Sequence, residues 1–304
     1  MLQIDEDIFD TIYPICRYVE KSIVQQESDR VCDWWGAKNA LRHMVTINFL
    51  RRQSQEIKNS IKILNLSGLS CGHQDFAICH YFIENNIPFE YCAIEHPATP
   101  YREDAEFQRM VNDHKINVIY ADLAEIDHKK IEESFGQPNI VLFTEIAEHL
   151  PHDLFLRSLS LVRQILSAQG KFFLTTPNSD RLHFRINTLL GRETEYWGDG
   201  QANFRRGLFG HIVYYNIARL RRLLADVGLT MCEAKTFDFP IPAQVVFDVS
   251  KWRSRSPTSL QNSLIKTGEK LWRMPTLSHM VKTIGEQIVL VAEPGDIREV
   301  PFAL

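Results

Sequence analysis

The chain reads as an α/β protein on a doubly wound, mostly parallel sheet of seven strands, and three observations predict this. Short apolar runs recur from Ile61 onward, each closed by small or polar residues. Segments with apolar residues at helical spacing lie between them, and strands alternating with helices give parallel crossovers with the ligand at the carboxyl ends of the strands. The 304 residues suffice for one large core with additional cover.

The elements follow in order. Residues 1–60 are helical: Ile8, Ile12, Ile15, Cys16, Val19, Ile23 and Val24 repeat at helical spacing. A second helix is expected from Trp34 to about Ile57, carrying Leu41, Met44, Val45, Phe49 and Leu50 on its apolar side. Ile61–Leu66 is a buried strand running into a Ser/Gly-rich turn, and Phe76–Asn85 is the next helix. Phe89–Ile94, Asn117–Tyr120 and Ile140–Phe143 are strands two to four, ending at Glu95, Ala121-Asp122-Leu123 and Thr144-Glu145. Leu154–Leu166 is an amphipathic helix closed by Gly170, and Lys171–Thr175 is strand five, stopped by Pro177. Leu220–Val227 is a helix ended by Gly228; Leu229–Phe239 and Gln287–Ala292 are strands six and seven. Residues 1–57 thus form a helical N-terminal cap, 58–293 the core with lid-like insertions at 179–215 and 240–286, and 294–304 a C-terminal tail.

Composition narrows the function classes. A net charge of −4 argues against a nucleic-acid binder that is basic all over. No apolar run approaches the roughly 18 residues of a membrane span. The acidic start, MLQIDEDIFD, is unlike a secretory leader. Six cysteines are scattered without a CxxC pair, which favours reduced thiols and a cytoplasmic location. One stretch departs from the average: between Ser250 and Gly285, Lys251, Arg253, Arg255, Lys266, Lys270, Arg273 and Lys282 face one acid, Glu269. It is either a solvated face or a lid that attracts an anionic or phosphorylated acceptor.

Three chemical features follow the first three strands. The run Asn65-Leu66-Ser67-Gly68-Leu69-Ser70-Cys71-Gly72 is a small-residue turn that lets backbone N–H groups approach a ligand at a helix N-terminus. Glu95 ends strand two, where an acid can accept both hydroxyls of a ribose. Asp122 follows strand three, placed for an adenine amino group. Each alone is an ordinary turn or cap residue; in this order they favour an adenosine-type ligand.

The stretches PNIVLFTEIAEHLP (Pro138–Pro151), LSLVRQILSAQGKFFLTTPN (Leu159–Asn178) and Gly210–Leu229, with His211, Tyr214 and Tyr215, resemble the class I S-adenosylmethionine-dependent methyltransferases. The likeness covers roughly residues 58–239 and 287–293 and implies their Rossmann-like fold. The chain departs from that family where an acid precedes its glycine loop: here the residue is Asn65, and Ser67 and Leu69 replace glycines. The resemblance implies that Asn65, Ser67, Gly68 and Gly72 cradle the methionyl end of S-adenosylmethionine, that Glu95 holds the ribose, that Asp122 and Leu123 edge the adenine, and that Thr144 and Glu145 lie beside the sulfonium.

Glu145-Ile146-Ala147-Glu148-His149 is the sharpest local feature. On a helix starting near Thr144, the two acids and the imidazole share one face. His211 precedes strand six at the same end of the sheet. His149, Glu148 and His211 are therefore the catalytic candidates. Glu145, Glu148, His149 and His211 are also a candidate divalent-metal set, for Mg, Mn, Fe or Zn, as in the metal-dependent O-methyltransferases. A metal-free general base and a purely structural role stay open. His152 reads as a surface turn residue. Trp34-Trp35, Tyr196-Trp197-Gly198 and Arg205-Arg206 are candidates to cover the cofactor or acceptor, the alternatives being core packing and a solvated loop.

The leading expectation is methyl transfer to a hydroxyl of a small-molecule acceptor: a saccharide, a nucleotide-linked sugar or a natural product. The alternatives are a metal-dependent RNA 2′-O-methyltransferase, favoured by the basic stretch and disfavoured by the −4 charge, and a non-catalytic methyltransferase-like partner subunit. A homodimer is left open.

Overall fold

A computed structural model describes residues 5–25, 28–57, 60–69, 72–191, 211–237, 285 and 287–295. Its strands are β1 (Ile61–Asn65), β2 (Phe89–Glu95), β3 (Ile116–Tyr120), β4 (Ile140–Thr144), β5 (Lys171–Pro177), β6 (Leu229–Phe237) and β7 (Gln287–Pro294). They make one seven-stranded sheet in the order β3-β2-β1-β4-β5-β7-β6, the mixed, mostly parallel sheet expected of a Rossmann-like methyltransferase fold. The described residues divide into two compact units, meeting in sequence at Glu125 and Ile126.

The first unit holds α1 (Glu6–Ser22), α2 (Asp29–Glu56), α3 (His73–Glu84) and α4 (Ala105–Asp113), with β1, β2 and β3. Asp5 caps α1 by accepting the Ile8 N–H at 3.3 Å. Ile8, Ile12, Cys16 and Val19 then form its buried stripe. α2 starts five residues before the expected Trp34. It crosses α1 at Gly36, where a Cβ would lie 2.8 Å from the Arg17 Cα. β1 pairs in parallel with β2 from Ile61↔Phe89 to Asn65↔Ala93, and β2 with β3 from Tyr91↔Ile116 to Glu95↔Tyr120. β1 is buried at every position but Lys62, which explains its continuous apolar run. α4, capped by Asp104 on the Phe107 N–H at 2.7 Å, was not legible in the sequence: only Phe107, Met110 and Val111 of its nine residues are buried.

The second unit holds α5 (His128–Ser134), α6 (His152–Ile165), α7 (Leu182–Leu189) and α8 (Ile217–Asp226), with the other four strands. β4 pairs in parallel with β5, and β7 lies antiparallel between β5 and β6. β5 runs through Pro177 rather than stopping before it, because proline is tolerated at a strand's end, where no ladder N–H is needed. Asn216 caps α8 on the Arg219 N–H at 2.8 Å, and Gly228 closes it at φ +77. The helix expected from Thr144 is absent. Glu145 takes a left-handed conformation (φ +53), so no helix can start there, and a single 3₁₀ turn, Ala147–His149, follows. No helix among the described residues is long and apolar enough to cross a membrane.

Candidate functional site

In the first unit, β1 ends at Asn65 and the chain turns through Leu66, Ser67, Gly68 and Leu69 toward α3. The Asn65 side chain organises this turn. Its Oδ1 accepts the Ser67 N–H at 2.9 Å, and its Nδ2 donates to the Gly68 carbonyl at 3.3 Å and to Asp75 Oδ1 at 2.7 Å. Gly68 has φ +76, and a Cβ there would come 3.3 Å from Glu95 Oε2. Gly72 opens α3 at φ +84, with the Phe76 ring 2.2 Å from where a Cβ would stand. Only glycine meets both demands at these two positions.

Glu95, buried at the end of β2, holds the same turn. Its Oε2 accepts the Leu69 N–H at 2.5 Å and its Oε1 the His96 N–H at 3.0 Å. A carboxylate offers about four acceptor sites, so fixing the loop and receiving a ribose diol are compatible roles. A close glycine backbone beside a buried strand-end acid fits an adenosine-type cofactor. Asp122 is half-buried and serves a turn: one oxygen accepts the Ala124 N–H at 2.8 Å, and the other lies 3.6 Å from His96 Nε2. Leu123 beside it is half-buried.

Sequence reasoning missed Asp75. It is 1% exposed in the first turn of α3 and also accepts the Tyr91 hydroxyl at 2.7 Å. Burial pushes its carboxyl up to about 7, against the opposing pull of the Tyr91 and Asn65 hydrogen bonds. The one available signal was an acid in a helix's first turn, three residues past Gly72.

In the second unit, Thr144 is buried at the end of β4. Glu145 donates its N–H to the Thr175 carbonyl at 2.9 Å; its Oε1 is buried and has no hydrogen-bond partner among the described residues. Glu148 is 1% exposed. Its backbone carbonyl accepts the N–H groups of Ile212 (2.7 Å) and Val213 (3.2 Å), which ties the 211–213 segment to the 3₁₀ turn. Glu148 Oε2 accepts the Thr176 hydroxyl at 2.9 Å, and Oε1 lies 3.9 Å from His149 Nε2 and 4.0 Å from His211 Nε2. The two imidazole rings meet edge to face, centroids 4.7 Å apart.

Glu148, His149 and His211 therefore come together, each offering a ligand atom within 4.8 Å of the others. Glu145 does not join them among the described residues, because its left-handed backbone removes it from the face that a helix would share. Nitrogen and oxygen ligands at about 2.1 Å from an ion stand about 3.0–3.4 Å apart, so the three, now within 4.8 Å of one another, would close by up to about 1.8 Å around a divalent cation. The donor set fits such an ion as well as it fits a proton relay. Sequence reasoning assigned no role to Thr176, which anchors the carboxylate, or to Arg181. Arg181 is fully buried and stacks 3.6 Å above the Phe184 ring, next to Tyr214, whose own ring lies 5.7 Å from that of His211. His152 is exposed. Ser70, Cys71, Tyr196, Trp197, Gly198, Arg205, Arg206, the basic residues of the 250–285 stretch, the C-terminal tail beyond residue 295 and the Trp34 side chain lie outside the described residues.

A family model described as a methyltransferase domain matches residues 47–234. No curated protein sequence matches significantly. Among solved structures, the chain is similar to the CMeT domain of the citrinin polyketide synthase: 12% identity, 91% of this chain and 60% of that one, TM-score 0.51. It also aligns with a protein described as a sarcosine dimethylglycine methyltransferase from Galdieria sulphuraria (14% identity, 91% of each chain, TM-score 0.47). A third is a SAM-dependent methyltransferase from Archaeoglobus fulgidus (15% identity, 83% of this chain and 94% of that one, TM-score 0.43). At 12% identity, the likeness to the CMeT domain speaks to the fold alone.

Proposed function

The chain belongs to the methyltransferase-domain family, of the class I S-adenosylmethionine-dependent type, and from that premise we propose that it moves the methyl group onto a hydroxyl of a small-molecule acceptor. The observation that carries this reading is the buried Glu148 carboxylate facing two imidazole nitrogens at 3.9 and 4.0 Å. Such a constellation takes up a proton; transfer to a nucleophile that is already unprotonated would not need it.

Bound S-adenosylmethionine supplies a methyl group activated on a sulfonium. Asn65, Ser67, Gly68, Gly72 and Glu95 would hold its methionyl and ribose parts, with Asp122 and Leu123 at the adenine. His149 or His211 takes the proton of the acceptor hydroxyl as the oxygen–carbon bond forms and the carbon–sulfur bond breaks. Glu148 stabilises the imidazolium that results, and Thr176 keeps its carboxylate fixed. Because the displacement is in line, orientation supplies most of the remaining acceleration.

A second reading rests on the same three side chains. The fit of Glu148, His149 and His211 to a divalent ion favours a metal that binds the acceptor oxygen and lowers its pKa. Transfer assays on a panel of hydroxylated acceptors, with Glu148→Gln, His149→Ala and His211→Ala variants, test the site. Loss of transfer with cofactor affinity retained supports it, and full transfer in all three variants refutes it. Metal analysis of the purified protein separates the two readings: stoichiometric metal that is lost in His211→Ala favours the second.

A further inference from the structure

Asn65 and Asp75 are ten residues apart, both 1% exposed, and joined at 2.7 Å. The Asn65 carboxamide has one orientation that serves all of its contacts. Nδ2 points to Asp75 and the Gly68 carbonyl, which leaves Oδ1 to receive the Ser67 N–H. Asp75 acts as the acceptor that fixes this choice. Tyr91 from β2 donates to the same Asp75 oxygen, Oδ1, at 2.7 Å and holds that oxygen toward β1. Turn geometry thus passes from a buried acid on α3, through one amide, to two backbone groups of the loop.

We propose that Asp75 is a positioning residue for the cofactor: acting through Asn65, it sets the β1–α3 loop, and the ionised carboxylate sets it best. The inference rests on reading that loop as the cofactor site. An ionised acceptor makes stronger hydrogen bonds than a neutral carboxyl and keeps the amide in the orientation the loop requires. Its negative charge, one side chain behind the loop, also favours a ligand that carries sulfonium and ammonium groups.

The titratable groups facing Asp75 are Tyr91 and Glu95 of β2 and Cys79 of its own helix, while β1 contributes the neutral Asn65. From α1 and α2, Glu20 and His43 reach this end of α3 and lie against His73. Burial of Asp75 brings its ionisation to about 7, into the range near neutral pH.

Calorimetric titration with S-adenosylhomocysteine between pH 6 and pH 8 tests this in three proteins: wild type, Asp75→Asn and the exchange variant N65D/D75N. Thermal melts of all three confirm folding. Comparison with Asp75→Asn cancels titration of the ligand and of other groups. Wild type is expected to gain about tenfold in affinity from pH 6 to pH 8 relative to Asp75→Asn, the change when only the ionised form of such a group binds. In the exchange variant, the new carboxylate at 65 accepts the Ser67 N–H and receives the amide at 75, so affinity at pH 8 returns to within a few-fold of wild type. Parallel pH profiles for wild type and Asp75→Asn overturn the inference while leaving the cofactor site standing. Failure of the exchange variant to recover also overturns it. A wild-type protein that binds no cofactor at any pH overturns the reading of the loop and the inference together.

Discussion

Replacing Asp75 with asparagine should make the protein more stable at high pH than wild type, an unusual result for loss of a hydrogen-bonded acid. The folded carboxyl ionises at about 7, whereas the unfolded one ionises near 3.8. From pH 3.8 upward, the unfolded chain releases a proton that the folded chain keeps, so stability falls as pH rises and levels off above pH 7. Between pH 5 and pH 8 the loss amounts to about 3 kcal/mol, at about 1.4 kcal/mol per pH unit over the interval below 7. For a chain of this length that is a drop of roughly 4 °C in melting temperature. The variant preserves the contacts, because Asn65 and Tyr91 both donate to the same oxygen of Asp75, which an asparagine carbonyl can replace. Melts of both proteins by circular dichroism at pH 5, 6, 7 and 8 give the difference directly. A difference that stays constant with pH refutes the reasoning and means that Asp75 is ionised throughout.

Gly72→Ala should destabilise the protein by about 2–4 kcal/mol in chemical denaturation, since it combines φ +84 with a methyl 2.2 Å from the Phe76 ring. Glu148→Gln keeps the volume and can still accept the Thr176 hydroxyl. Its melting temperature should stay within a few degrees of wild type while methyl transfer falls about 10²–10⁴-fold in a steady-state assay. Glu95→Gln leaves one side-chain acceptor oxygen where two loop and strand-end amides are now held. Cofactor affinity, measured by calorimetry, should therefore fall about 10–100-fold. Dialysis against a chelator should abolish transfer if the metal reading holds and leave it unchanged if the two histidines act alone.

The strands were legible where burial forced continuous apolar runs, as in Ile61–Asn65, Ile140–Thr144 and Lys171–Pro177. Short helices that bury few residues, α4 and α5, left no such pattern; α5 buries only Ile131. The site was legible as residue types and only partly as geometry. Glu148, His149 and His211 come together, but not by the helical spacing that suggested it. A 3₁₀ turn and backbone hydrogen bonds from Ile212 and Val213 to the Glu148 carbonyl bring them there. The positive φ at Glu145 could not be read from a glutamate, a residue that seldom adopts one. Asn65 read as a missing acid; the structure sets the buried Asp75 carboxyl against its amide at 2.7 Å, a tertiary contact that the spacing of the two residues does not announce.

On the proposed function, this chain binds S-adenosylmethionine through the β1–α3 loop and Glu95 and uses it. Isothermal titration of the wild-type chain with S-adenosylmethionine tests it most directly. One site per chain is expected, with affinity in the micromolar range, weakened by Glu95→Gln. An absence of binding at millimolar cofactor by a folded protein would contradict it, and would favour a methyltransferase-like subunit without catalysis.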